Sequence, residues 1–219
     1  MKKYFYKTSL TSETANIEKN VDSNNTVTLD HGHGPVSPDR IPRGIELEEN
    51  RVYFYCIVDS HEALELNRIL RRLDVEMQYL SNRLSCKEVP IHLHIHSPGG
   101  SIFAGLSIVD TIKSCKTPVY THIDGSAASA ATLISIAGTQ RFMGKNSYML
   151  IHQQQIEWTG KFDEFMDEIE NQKSLYDKVV KLYLENTNMK EKVLKDMLDH
   201  ELWLDSEKCL ELGLIDEVV

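Results

Sequence analysis

The sequence of 219 residues contains no apolar run close to the ~20 residues that a membrane-spanning helix needs. Its N-terminal stretch has two lysines but lacks the apolar core of a secretory signal. Acidic residues outnumber lysine and arginine, 33 against 24, so the formal net charge is -9 and the basic patch typical of nucleic-acid-binding proteins is missing. These absences predict a cytoplasmic protein that binds neither nucleic acid nor a membrane.

Cysteines are few and scattered, at Cys56, Cys86, Cys115 and Cys209, and no two of them form a CxxC pair. This spacing is typical of reduced cytosolic thiols and argues against a disulfide framework or a zinc site. An apolar share of 41% is enough for a hydrophobic core. The length suits one domain with an appended segment.

The appended segment is residues 1–44, which are rich in Asn, Asp, Ser, Gly and Pro and have no sustained periodicity. This composition predicts a flexible arm or a propeptide. From residue 45 to the end, β-branched and aromatic runs alternate with runs of helical periodicity. Such alternation predicts βαβ units around a parallel sheet. A long charged helix is predicted over about residues 162–186, followed by a shorter helix near 190–199.

Residues that are candidates for catalysis follow the predicted strands. Gly99 and Gly100 come after "VPIHLHIH", Ser129 after "PVYTHID" and His152 within "SYMLIHQ". Because functional groups gather at the carboxyl ends of strands in open α/β sheets, these residues are candidates for one site. Gly125 is expected to turn the chain sharply before Ser129.

Ser129 is expected near a helix N-terminus, where free N–H groups favour an oxyanion. A serine needs a neighbouring base to act as a nucleophile, and His152 is the best candidate. Gly99 and Gly100 would expose backbone N–H groups to the same oxyanion. Three structural alternatives stay open: a small serine that permits close helix packing, a histidine satisfied in the core, and an ordinary glycine turn.

The motifs around these residues resemble ClpP, the proteolytic subunit of the Clp protease. They occur in the order SPGG, AG-x-x-I-x-D-T-I, G-x-A-A-S, R-F, N-S and M-x-I-H-Q, with weaker similarity from about Arg51 to the end. The resemblance implies an α/β, ClpP/crotonase-like fold with parallel βαβ units and a protruding handle helix. Residues 45–219 would form the peptidase domain, and the handle would span about 154–186.

The resemblance also implies roles for the site residues. Ser129 would be the nucleophile, His152 the general base, and the N–H groups of Gly100 and Ala130 the oxyanion hole. An extended segment would pair with the substrate backbone as an added strand. That segment comprises Gly99, Gly100, Ser101 and Ile102.

The third member of the triad departs from the family pattern, which has an aspartate in a segment like "ERDRFLS". The matching stretch here is "DHELWLD", and counting back from Gly213 places Glu201 at the triad position. A glutamate can orient a histidine, as a Ser-His-Glu triad does. Asp199 is the alternative if the loop slides. A Ser-His pair without a carboxylate also stays open.

A second departure is the run "HLHIH", where the family often carries aromatic residues that dock an ATPase. His92, His94 and His96 alternate, so they share one face of a strand. We expect a polar strand with altered docking and no metal. A metal site formed by these three histidines is the alternative.

The function implied by the resemblance is that of a serine endopeptidase acting on unfolded polypeptides. Family members form heptameric rings, stacked as a tetradecamer, and a partner AAA+ Clp ATPase feeds them. No cofactor is implied in the subunit, and ATP would enter only through the ATPase. Two alternatives stay open: an inactive ring subunit that regulates a paralogue, and a crotonase-type acyl-CoA enzyme. The departures suit a divergent member of the family, a virus-encoded one included.

Overall fold

The structure is a computed structural model that describes residues 44–155 and 159–219. The predicted N-terminal arm, residues 1–44, lies outside the described residues except for Gly44. Three residues of the predicted handle segment, 156–158, lie outside them as well.

One mixed sheet contains all the strands of the described residues, in the order β1-β2-β3-β4-β5-β8, with β6 beside β4 and β7 beside β6. The pairs are parallel except β1 with β2 and β6 with β7, which are antiparallel. The strands are β1 (Ile45–Glu48), β2 (Arg51–Phe54), β3 (Ile91–Ser97), β4 (Val119–Ala128), β5 (Gln140–Met143), β6 (Tyr148–Leu150), β7 (Trp203–Leu204) and β8 (Glu217–Val218). The predicted α/β class with parallel βαβ units is confirmed.

The helices follow the predicted alternation closely. They are α1 (Ser60–Leu84), α2 (Ile102–Ser114), α3 (Ala130–Ile136), α4 (Phe162–Asn186), α5 (Glu191–Leu198) and α6 (Ser206–Glu211). Helix α1 begins after Asp59, whose carboxylate accepts a hydrogen bond from the backbone N–H of Glu62 at 2.9 Å, as expected of an acidic N-cap. The long charged helix predicted over 162–186 is α4.

Helix α4 protrudes from the core along most of its length. Its buried side chains are confined to its C-terminal third, at Val179, Val180 and Tyr183. The part from Phe162 to Lys178 has no fully buried residue, and Phe162 is 74% exposed. A helix that packs on the core only at one end has the form of a handle, as the sequence predicted.

The sheet buries only one of its faces within the described chain. Along β3, Ile91, Leu93 and Ile95 are fully buried, and the histidines that alternate with them are half-buried on the opposite face. Helices α1 and α3 pack against β3. A parallel sheet covered on both faces has near-continuous apolar strands, so this alternation marks a face that the described part of the chain leaves open.

The structure corrects the predicted turn at Gly125. Strand β4 continues through this residue to Ala128, pairing first with β5 and then, from Ser126, with β6. Gly125 has φ +82°, and a Cβ there would lie 2.9 Å from Nδ1 of His96. The glycine therefore marks the point where the strand changes neighbours, and the sharp turn occurs four residues later, at Ser129.

Candidate active site

The carboxyl ends of three neighbouring strands bring the predicted residues together. Ser97 of β3 pairs with Ala127 of β4, and Ala128 pairs with Leu150 of β6. The segments that continue from these strands carry the glycines, Ser129 and His152. They line one cleft of about 500 Å³ that includes Gly100, Ser129, Ala130 and His152. The sheet thus gathers, on one cleft, residues that are far apart in sequence.

Ser129 occupies a backbone conformation that is rare for a residue with a side chain. Its φ is +52° and its ψ is −124°, and helix α3 begins at the next residue. The Ser129 N–H donates to the carbonyl of Leu150 at 2.9 Å, which ties the turn to β6. Strained strand-to-helix turns are where nucleophilic serines are presented in hydrolases. Ser129 is half-buried and lines the cleft.

Two backbone N–H groups remain for an oxyanion. In the described part of the chain, neither the Gly100 N–H nor the Ala130 N–H has a recorded hydrogen-bond partner. Gly99 packs directly behind Ser129, since a Cβ on it would lie 2.7 Å from the Cβ of Ser129 and 3.1 Å from the Ala130 nitrogen. Val58 packs against Gly100 from the other side. A Cβ on Gly100 would lie 2.3 Å from the carbonyl oxygen of Val58. Both glycines are therefore required by close backbone approach.

His152 lies on the cleft with one acidic neighbour. Its Nδ1 is 3.8 Å from Oε1 of Glu201, which is longer than a hydrogen bond. Asp199 ends helix α5 as its C-cap, and within the described residues no ion pair or hydrogen bond joins it to His152. Among the described residues, no hydrogen bond joins His152 to Ser129. Catalytic hydrogen bonds in substrate-free structures are often long and shorten when substrate binds.

Exchanging the two acids separately tests which of them orients His152. We expect Glu201→Gln to lower kcat/KM by about 10–100-fold, because the neutral amide no longer stabilises the charged imidazole. This loss is smaller than the loss expected for a buried triad acid, because Glu201 is exposed. Asp199→Asn, the matched control, should stay within about 2-fold of the parent. Steady-state hydrolysis of a fluorogenic peptide measures both. A larger loss in Asp199→Asn would transfer the role to Asp199, and two negligible losses would mean that His152 works without a carboxylate.

The segment that the resemblance implies would pair with substrate lies at the start of helix α2. Gly100, Ser101 and Ile102 line the cleft, but Ile102 is the first residue of α2 and Ser101 is its N-cap. The Ser101 N–H already donates to the Val58 carbonyl at 2.7 Å. Gly99 is not among the lining residues. Ile102 therefore belongs to the helix, and the pairing of Gly99, Gly100 and Ser101 with substrate stays a prediction.

The apolar walls of the cleft were not identified from the sequence. They come from α3, α4 and the end of α5 and comprise Leu133, Tyr176, Val179, Tyr183 and Leu198. Those on α4 recur at spacings of three and four residues, which places them on one helix face. That periodicity was visible in the sequence, but it indicated only a buried face and not a cleft.

The three histidines of β3 do not converge on a metal. Nδ1 of His92 contacts Nε2 of His122 at 2.9 Å, Nδ1 of His94 contacts the Asp124 carboxylate at 2.8 Å, and Nδ1 of His96 contacts the Asp124 carbonyl at 2.8 Å. Within the described residues, no group of three or more His, Cys, Asp or Glu could hold a metal ion. The alternative of a metal site on these histidines is therefore not supported.

His94 instead belongs to a stack of four rings that crosses the open face of the sheet. We call this stack the imidazole layer. Its rings are Tyr53, His94, His122 and Phe142, one from each of β2 to β5, with neighbouring centroids 4.8, 4.5 and 4.8 Å apart. Burial and then the charges of His94 and His92 lower the pKa of His122 to about 4. The imidazole of His122 in this layer is therefore neutral at pH 7.

The imidazole layer should make stability depend on pH. The pKa of His122 and that of His92 are both depressed, chiefly by burial, so between about pH 6.5 and 4 the unfolded chain binds more protons than the folded one. Stability is therefore fully present above the unfolded pKa and is lost as the pH falls through this window. For the half-buried His122 we expect a loss of about 1–2 kcal/mol after discounting for solvent screening.

Urea unfolding at a series of pH values, with wild type and His122→Phe, checks this expectation. The phenyl ring keeps the stack on His94 and Phe142 but cannot titrate, so the pH slope above about pH 4 should be reduced. The other titratable and charged groups around this layer, Arg51, Tyr55, His96, Tyr120 and Asp124, are unchanged in the variant. Equal slopes in wild type and His122→Phe would refute the assignment.

A strained serine, N–H groups without a partner in the described ranges 44–155 and 159–219, and a histidine on the same cleft form the arrangement that acyl-transfer enzymes of the serine-hydrolase class require. The family model described as Clp protease matches residues 68–219. The chain belongs to the Clp protease family.

Individual relatives agree with this assignment. The ATP-dependent Clp protease proteolytic subunit 2 of Treponema denticola is 35% identical over 158 residues, which cover 71% of this chain and 78% of that protein. Subunit 1 of Protochlamydia amoebophila is 30% identical over 185 residues, 83% of this chain and 85% of that protein. A solved structure of a ClpP1 point mutant from Listeria monocytogenes matches with a TM-score of 0.66 at 25% identity, covering 78% of this chain and 91% of that one.

The comparisons confirm the predicted family and the ClpP-like fold. They favour a protease function and favour neither the inactive regulator nor the acyl-CoA enzyme. In the described part of the chain, every helix is too short or too polar to cross a bilayer. The roles of Ser129, His152 and Glu201 stay predictions that rest on the geometry above.

Proposed function

We propose that this chain is a serine endopeptidase, the proteolytic subunit of a self-assembling Clp-type complex that cleaves unfolded polypeptides. The observation that carries the proposal is that one cleft is lined by Ser129 at a strained turn, by His152, and by two N–H groups that have no hydrogen-bond partner among the described residues. A serine required only for helix packing would not need this conformation. A histidine satisfied in the core would not open onto the cleft.

The proposed chemistry is acyl transfer through the serine hydroxyl. Oγ of Ser129 attacks the peptide carbonyl while His152 takes its proton. The N–H groups of Gly100 and Ala130 donate to the oxyanion that forms, and losing one such donor typically costs roughly 10²–10³ in rate. The protonated His152 then gives its proton to the leaving amine. Water, deprotonated by the same imidazole, hydrolyses the acyl-enzyme and frees Ser129.

The walls of the cleft suit an apolar residue at the position before the scissile bond. Leu133, Val179 and Leu198 present aliphatic groups, while Tyr176 adds a ring. None of the five wall residues carries a charge, so a charged substrate side chain would lose its hydration without gaining an ion pair. We therefore expect cleavage after residues such as leucine or methionine to exceed cleavage after lysine or aspartate.

The proposed assembly is the ring architecture of the family, with heptamers stacked as a tetradecamer. The exposed apolar residues of α4, including Phe162 and Met166, support its use as a contact between copies. The proposed partner of this assembly is an AAA+ Clp ATPase. His92 and His94 lie where the family often has aromatic docking residues, so such a partner would meet imidazoles instead. No cofactor is proposed for the subunit itself.

Labelling with a fluorophosphonate, combined with native mass measurement, tests the nucleophile and the assembly together. We expect one label per chain, located on Ser129 by peptide mapping, and a mass that is a multiple of seven chains. His152→Ala should label much more slowly, because the hydroxyl loses its base. An unlabelled protein that still co-assembles with another ring subunit would favour the regulator. Turnover of an acyl-CoA would favour the crotonase-type enzyme.

A further inference from the structure

A buried hydrogen-bond chain runs from the handle helix to the backbone of the nucleophile. Tyr183 lies on α4 and is 2% exposed, and Thr132 lies on the first turn of α3 and is fully buried. The phenolic oxygen of Tyr183 contacts Oγ1 of Thr132. The same Oγ1 donates to the carbonyl of Ser129 at 2.6 Å.

The direction of both hydrogen bonds follows from the donors available. The Ser129 carbonyl can only accept, so the Thr132 hydroxyl must donate to it. With that proton committed, the Thr132 oxygen can only accept from Tyr183, and the phenol must be the donor. Burial raises the pKa of the Tyr183 phenol, which keeps the proton in place. The chain is therefore polarised in one direction, from α4 to the peptide of Ser129.

The two peptide units around Ser129 are both held by this environment. Its N–H donates to Leu150 at 2.9 Å, and its carbonyl accepts from the Thr132 N–H at 3.0 Å and from the Thr132 hydroxyl. A residue at φ +52° keeps a sparsely populated conformation only when its surroundings impose it. Without the hydroxyl, one of the three contacts that impose it would be lost.

We propose that Tyr183 is a positioning residue for the nucleophile, acting through the Thr132 hydroxyl on the Ser129 carbonyl, so that the geometry of Ser129 depends on how the handle helix is seated. The end of α4 is itself anchored to the core. Arg141 donates to the carbonyl of Asn186 at 2.6 Å, and Lys113 donates to its side chain at 2.6 Å. A displacement of α4 would therefore reach the nucleophile through Tyr183. This inference rests on the proposed function of Ser129.

Conservative variants of the two hydroxyls test the proposal. Thr132→Val keeps the shape but loses both hydrogen bonds, and we expect kcat to fall about 10–100-fold with KM within about 2-fold, since a small misplacement of a reacting group has that effect. Tyr183→Phe keeps the ring in the cleft wall and should lower kcat by about 3–10-fold. Thr132→Ser retains the hydroxyl and should stay within about 3-fold of wild type. Rates are normalised to the sites that a fluorophosphonate titrates.

The double variant separates positioning from general stability. If the two hydroxyls act as one chain, Thr132→Val combined with Tyr183→Phe should be no slower than Thr132→Val alone. Additive losses, or an unchanged kcat in Tyr183→Phe, would overturn the proposal. If Thr132→Val does not fold, the Tyr183→Phe result decides.

A readout without catalysis keeps the proposal distinct from the proposed function. In Tyr183→Phe, amide hydrogen exchange in residues 129–134 should be at least about 10-fold faster than in wild type, because the turn opens more readily. A wild-type protein that is neither labelled nor active would refute the proposed peptidase function. The exchange measurement would then test the positioning role of Tyr183 by itself. An unchanged rate of amide hydrogen exchange in Tyr183→Phe would refute the proposed role of the hydrogen bonds, even if the enzyme is active.

Discussion

Replacing Ser129 with alanine is expected to reduce peptide hydrolysis by at least about 10⁴-fold, because the hydroxyl that forms the acyl-enzyme is removed. Alanine keeps the Cβ, so it meets the same conformational cost at φ +52° and should not disturb the turn. The cleft walls and the free N–H groups of Gly100 and Ala130 remain. Binding of peptide should therefore persist while kcat is lost, and single-turnover assays should show no acyl-enzyme.

A second serine on the same cleft provides the matched control. Ser101 lines the cleft and caps α2, where its hydroxyl accepts from the Ala104 N–H at 3.4 Å. Ser101→Ala should cost about 1 kcal/mol of stability at most and leave kcat within about 3-fold. A Ser129→Ala protein that keeps a tenth of the activity, or that still reacts covalently with a fluorophosphonate in the cleft, would disprove the assignment of the nucleophile.

Replacing Arg141 with alanine is expected to cause a large loss of stability although the residue lies outside the cleft. The guanidinium donates to both carboxylate oxygens of Asp216, to the carbonyl of Asn186 at 2.6 Å and to that of Gly213 at 2.7 Å. Its side chain is 13% exposed. It therefore joins β5, the end of the handle helix and the segment before β8, which are distant in sequence.

The expected cost of Arg141→Ala is about 2–4 kcal/mol in the free energy of unfolding. Removing one partner of a buried pair usually costs about 3–5 kcal/mol, and Asp216 is 44% exposed, so water recovers part of that. The two carbonyls each lose a charged donor. Urea unfolding at fixed protein concentration measures the change, since assembly contributes to apparent stability.

The exposed ion pair of Arg72 with Glu76 is the control for Arg141. Their atoms are 3.7 Å apart and both side chains are more than half exposed. Arg72→Ala should cost less than about 1 kcal/mol. Arg141→Lys should recover only part of the loss, because an ammonium cannot donate as a planar fork to Asp216 and two carbonyls. Similar costs for Arg141→Ala and Arg72→Ala would show that the buried network contributes little.

The site could be located from the sequence because its residues follow strands that are individually recognisable. The alternation along β3 and the apolar runs of β4 and β6 are visible as patterns, and parallel strands present their carboxyl ends at one edge. Gly99, Ser129 and His152 could therefore be grouped before any coordinates. The long handle helix was equally clear, since amphipathic periodicity continued from Phe162 to Asn186.

Other features could not be predicted because they depend on contacts between distant segments. β7 and β8 have two residues each, too few for any periodicity, and exist only by pairing with β6 and β5. Gly125 indicated a turn by its type, but the partner strands of β4 extend the chain through it. The spacing of Glu201 along the sequence indicated the third acid, whereas its 3.8 Å separation from His152 is a property of the folded loop.

From the sequence alone came the alternation of the longer strands and helices, the family, and the residue types at the site, because each is encoded in local pattern and motif. The tertiary structure decided three things that local pattern does not contain. It placed Ser129 at φ +52° by bonds to Leu150 and Thr132, it joined Tyr183 of the handle to that turn, and it arranged the histidines as a stack rather than a ligand set. The physical reason is that hydrogen-bond direction and ring stacking depend on the relative placement of different strands and helices, which spacing along one segment does not specify.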